Sequence, residues 1–123
     1  MGNIYSSFNM THFEEIMNHK GLLINTLDIN NQKCLIINTI PIYEEETIIN
    51  NYLKTNKSIP IVIYGMNYRD KTIIKKYNQL LKLGFSKVSI YFGGLFEWLC
   101  LQEIYGTENF KTNGKVNDLL KYK

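Results

Sequence analysis

The chain has 123 residues, 45% of them hydrophobic and 13% aromatic, enough apolar side chain for the core of one domain. No apolar run reaches the roughly 20 residues that span a bilayer, and a formal net charge of +3 is too slight for a dedicated nucleic-acid binder. Two cysteines, Cys34 and Cys100, and two histidines, His12 and His19, exclude a disulfide framework and a thiolate zinc cage, leaving a small soluble domain with no cofactor.

Residues 1–10 carry glycine, serine and asparagine without an apolar period, and read as a tail that lacks a secretory h-region. Met1-Gly2-Asn3-Ile4-Tyr5-Ser6 fits the N-myristoylation pattern, with Gly2 as the acceptor in a eukaryotic cell or a virus of one. A single acyl chain, with no lysine or arginine before Lys20, implies reversible membrane association of a cytoplasmic protein. Thr11 and Glu14 have capping-box spacing, which predicts a helix over Thr11–Asn18 that stops at Gly21.

Leu22-Leu23-Ile24 and Cys34-Leu35-Ile36-Ile37 are continuous apolar runs separated by the turn-rich stretch Asp28–Gln32, and read as strands buried on both faces. Pro41 precedes a helix over Tyr43–Lys54, with Glu44, Glu45 and Glu46 near its positive end. Pro60 opens a strand Ile61–Tyr64, broken at Gly65. A loop, Met66–Asp70, then leads into a helix over Lys71–Leu83 that ends at Gly84. Val88–Tyr91 is a strand, Gly93-Gly94 a turn, and a helix runs from Leu95 towards Glu103. Residues 11–106 form the domain, and 107–123 an extension with a short helix around Val116, Leu119 and Leu120. Apolar strands alternating with amphipathic helices predict an α/β fold with a mostly parallel sheet of about five strands and helices on both faces.

Ligands of such sheets bind outside the carboxyl ends of the strands, which makes Gly65, Met66, Asn67, Tyr68, Arg69 and Asp70 the candidate binding loop. A short loop entering a helix aims backbone N–H groups at a common point and suits an anion. Gly65, at the bottom of that cradle, has no side chain to attack with. Arg69 is the loop's one basic group and reads as a solvated charge; Asp70 reads as the cap of the following helix. Lys71, Lys75 and Lys82 fall on one helical face, with Lys76 at its edge, and read as solvated.

Three stretches together resemble a rhodanese-like domain. Pro60–Gly65 sits where that family has an apolar strand ending in Tyr-Cys. Leu80–Phe85 with Lys87–Tyr91 matches its helix, Gly-aromatic turn and fifth strand, and Gly93-Gly94-Leu95-Phe96-Glu97-Trp98 matches its Gly-Gly-x-x-x-Trp signature. The likeness spans about Thr11 to Ile104. Upstream it is worn: Asn25 and Leu27 stand in place of the family's acid and arginine, and no histidine lies near Cys34.

The resemblance implies the rhodanese-like fold. The family's activity is sulfur transfer through a persulfide on the loop cysteine, held by loop amides and an arginine. This chain has Gly65 at the cysteine and Asp70 at the arginine. The expectation is therefore a noncatalytic rhodanese-like module that binds a protein or a small anion. The alternative is a sulfurtransferase using Cys34, in an apolar strand, or Cys100, in the last helix. A third class is a lipid-anchored structural protein of a virus or protist, carried by Gly2.

Overall fold

A computed structural model describes residues 8–123. The Gly2 acylation pattern lies outside the described residues. Three parallel strands make the central sheet: β1 (Leu22–Asn25), β3 (Ile61–Tyr64) and β4 (Val88–Tyr91), in the order β1-β3-β4. Leu22 pairs with Ile61 and Ile61 with Val88, so the three strands run in step and end together. Single parallel bridges extend the sheet at both edges, Ile40 beside Ile24 and Met10 beside Ile90. The class is α/β as expected, with three central strands rather than about five.

The remaining two strands form a sheet of their own. β2 (Leu35–Ile36) pairs antiparallel with β5 (Thr112–Asn113). Cys34, Leu35 and Ile36 of the apolar run are thus buried as read and Ile37 half-buried, but the run does not join the central sheet. The reason is a tight turn directly after it. Thr39 N–H returns to Ile36 O at 3.0 Å and Asn38 takes a positive φ of 68°, which brings Ile40 alone back to β1.

Side-chain alternation along the strands sorts the core into two layers. Leu22, Ile24, Ile61, Ile63, Val88 and Ile90 face α2 (Ile42–Thr55) and α3 (Thr72–Leu83). Leu23, Val62, Tyr64 and Tyr91 face the other way, with Ile16 of α1 (Phe13–Met17), Trp98 of α4 (Gly94–Tyr105) and Tyr122. The 107–123 segment contributes β5 and a 3₁₀ turn over Leu119–Tyr122 that packs on α4.

Two helix starts differ from the sequence reading. Thr11 does not cap α1: its N–H bonds Ile90 O at 2.8 Å and its hydroxyl meets Ser89, so the sheet edge claims it. His12 is the N-cap instead, and the Glu15 carboxylate, not that of Glu14, accepts its N–H. On α3, Lys76 is ion-paired with Glu45 of α2 rather than merely solvated, clamping the two helices of that layer. Gly84 closes α3 at φ 108°, with cap bonds to Leu80 and Leu81. No described helix is long and apolar enough to cross a membrane.

Candidate functional site

β3 occupies the middle of the sheet, so its carboxyl end opens where flanking strands stop on either side. The chain leaves it at Gly65 and reaches α3 at Thr72 through the loop Gly65–Asp70 and Lys71. Two bonds from the start of α4 hold this loop down: Leu95 N–H donates to Gly65 O and Phe96 N–H to Met66 O, each at 2.9 Å. They require α4 to approach the loop very closely. Gly94 permits it, at φ 69°, where a Cβ would stand 2.7 Å from Gly65 O and 2.9 Å from Asn67 N. This is the physical use of the second glycine in Gly93-Gly94.

Asp70 dominates the interior of the loop. Its Oδ2 accepts the Met66 N–H at 2.9 Å. Its Oδ1 accepts the Thr72 N–H at 3.0 Å and the Thr72 hydroxyl at 2.6 Å. Asp70 is therefore not the N-cap expected from the sequence: Lys71 is, without a side-chain cap bond, and Asp70 stands one residue before it, because its carboxylate bonds Thr72 at the first helical position. The same carboxylate also does something the sequence reading did not foresee. A Cβ built on Gly65 would lie 2.5 Å from Asp70 Oδ2, 2.9 Å from its Cγ and 3.0 Å from Ile73 Cγ2. Asp70 therefore fills the volume a side chain at position 65 would need, and takes the Met66 amide.

Asn67 joins the loop to itself and to the C-terminal turn. It is 8% exposed. Its Oδ1 accepts Arg69 N–H at 2.9 Å and its Nδ2 donates to Tyr122 O at 2.8 Å, tying the loop to the C-terminal turn. Arg69 is exposed and its guanidinium lies over the Tyr68 ring, 5.5 Å from the centroid. Met66 is half-buried against the Trp98 layer. All six candidate residues thus share one loop, in which the N–H groups of Met66, Arg69 and Asp70 bond within the loop itself.

Neither cysteine is brought to this loop's cradle. Cys34 is buried, with Sγ 3.9 Å from Gly114 O, and burial pushes its thiol pKa up, although Lys121 opposes the shift. Cys100 is half-buried on α4; burial raises its pKa first and the Glu97 charge adds to it. A thiol held protonated is a poor nucleophile.

Three features escaped sequence reasoning. Asn25, in the place of the family's acid, is 1% exposed and organises the exit of β1: its amide donates to Ile40 O and its Oδ1 accepts from Leu27 N–H and Gln32 Nε2. Tyr91, 1% exposed, donates its hydroxyl to Glu97 Oε1 at 2.6 Å. The Asn67–Tyr122 bond spans 55 residues of sequence. Only the first had a local signal, a polar residue ending an apolar strand.

No family model matches the chain, and no curated protein does. Solved structures do. The Alr3790 protein from Anabaena sp. is 21% identical, with 90% of this chain and 86% of that one covered at a TM-score of 0.60. Its rhodanese-like domain, solved separately, is 23% identical over 71% of this chain and 95% of that one, at a TM-score of 0.50. The fold is that of a rhodanese-like domain.

Proposed function

We propose that the chain is a noncatalytic rhodanese-like module whose ligand is a protein. The observation that carries this reading is Asp70 Oδ2, seated on the Met66 N–H and 2.5 Å from where a Cβ of residue 65 would be. A persulfide needs a cysteine at that point and free amides around it. Here the cysteine is Gly65, and the chain's own carboxylate occupies the cradle. The carboxylate also argues against the small anionic ligand, because it would repel a sulfate, thiosulfate or phosphate placed beside it. A protein surface remains as the partner class. The sulfurtransferase alternative finds no support in Cys34 or Cys100, whose thiols are both held protonated.

Sulfur transfer from thiosulfate to cyanide tests this. The expected result is no turnover above the protein-free rate. Turnover that disappears with Cys34→Ser or Cys100→Ser overturns the proposal and makes the chain an enzyme.

A further inference from the structure

The outer face of the α2–α3 layer carries its charge in two separate halves. α2 begins with Glu44, Glu45 and Glu46, and its one base is Lys54 in the last turn. α3 has Lys75, Lys76 and Lys82 and no acid. Between the two helices lies a groove of about 430 Å³, lined by buried Ile49 and Leu80. Ile42 and Leu83 also line it, 36% and 41% exposed.

One ion pair crosses this groove, from Lys76 to Glu45, and sets the two helices at the same height. α2 leads into β3 and α3 into β4, two parallel strands of one sheet, so the helices also run in the same direction. Glu46 and Lys75, the chain neighbours of that pair, therefore stand at similar heights on opposite banks. Both are exposed, and neither makes an ion pair among the described residues. Lys75, Gln79 and Lys82 recur at i, i+4 and i+7, an exposed stripe opposite buried Ile73, Tyr77 and Leu80.

A partner for this face must offer a base to α2 and an acid to α3, side by side and one helix apart. A partner of a single sign is attracted to one bank and repelled by the other. A second copy of the chain meets the requirement by symmetry. A two-fold axis along the groove lays α2 of each copy on α3 of the other, so every complementary contact is made twice. We infer that the chain self-associates through this face as a two-fold dimer, Glu46 of each copy pairing with Lys75 of the other. The same axis brings Lys54 of one copy towards Lys82 of the other, so the dimer is weak, with a Kd on the order of 10–100 μM. The face is separate from the Gly65–Asp70 loop, so its failure would leave the noncatalytic reading standing.

Sedimentation equilibrium of the whole chain tests this at low salt, with protein from about 5 to 500 μM. The parent should pass from monomer to dimer over that range. Glu46→Lys and Lys75→Glu should each weaken the dimer at least about tenfold, since each sets like charges against one another at both contacts. The two reversals combined in one chain restore both pairs with their signs exchanged, and should bring the Kd back to within about threefold of the parent. Both positions are exposed, so the fold should survive, as circular dichroism will check. Should a reversal not fold, Glu46→Gln and Lys75→Gln remove the charges alone and should each weaken the dimer about threefold. A parent still monomeric at about 500 μM overturns the inference and leaves the face to a partner of another sequence. A dimer indifferent to the single changes, or a double reversal no tighter than the singles, overturns it as well.

Discussion

Gly65 and Asp70 are best understood as one pair. Glycine is needed at 65 because the Asp70 carboxylate stands 2.5 Å from the missing Cβ, and Asp70 can stand there because 65 is glycine. Gly65→Ala should cost about 1–3 kcal/mol as an overpacked site. Asp70→Ala should cost about 1–2 kcal/mol, through loss of the bonds to Met66 and Thr72. In the double variant the clash with the carboxylate is gone, so the summed single costs should exceed the measured one by at least about 1 kcal/mol. Urea denaturation of the four proteins measures this, and costs that add to within about 0.5 kcal/mol would show the two residues to be independent. Both residues were conspicuous in the sequence, as a missing nucleophile and a misplaced acid. Their contact was not, because a capping aspartate normally spends its oxygens on its own helix, and only the fold puts one of them under the strand end.

Among the elements, the loop and the C-terminal turn form one unit. Asn67, buried, gives its amide protons to Tyr122 O and takes the Arg69 N–H. Tyr122 itself is 2% exposed beneath α4. Asn67→Ala leaves the Tyr122 carbonyl and the Arg69 amide without these partners, at a cost of about 1–3 kcal/mol. Hydrogen exchange should then quicken at Arg69 and also at Lys121 and Lys123, whose amides close the terminal turn. Faster exchange at Arg69 with an unchanged terminal turn would mean that the two are not mechanically joined. Periodicity and caps made β1, β3, β4, α2, α3 and α4 legible to within a residue or two, because each is specified by its own side chains. β2 was legible as a strand within Cys34–Ile37, but its sheet and its partner β5 were not, for the opposite reason. Two residues each, they exist only through pairing across 76 or more positions, and a run such as Cys34–Ile37 looks the same whichever sheet takes it. Thr11 was misread for a like reason: its capping signal was sound locally, and the edge of β4 outbid it.

For the whole molecule, alkaline pH is the sensitive condition. Four acids that are neutral when protonated sit in or against the core with raised pKa values: Cys34, Tyr64, Tyr91 and Cys100. Burial is the first cause in each. For Tyr64 it outweighs the hydroxyl's bonds to Thr39 Oγ1 and Ile36 N–H, at 2.8 and 3.1 Å. For Tyr91 the Glu97 carboxylate adds to it by holding the phenolic proton. The unfolded chain releases these protons near the ordinary values, about 8.5 for cysteine and 10 for tyrosine, while the folded chain keeps them to higher pH. Over that interval the unfolded state binds fewer protons, so the unfolding free energy falls as pH rises. Their contribution is complete below about pH 8 and is lost progressively above it. The urea midpoint should therefore fall between about pH 8 and 10.5. Tyr64→Phe separates this from general alkaline damage. It removes one of the four groups and leaves Ile36 N–H without its phenolic acceptor, lowering stability at neutral pH by about 1–3 kcal/mol while flattening the alkaline slope. A variant that is weaker at pH 7 but loses midpoint with pH as steeply as the parent would show that the buried phenol does not drive the alkaline instability.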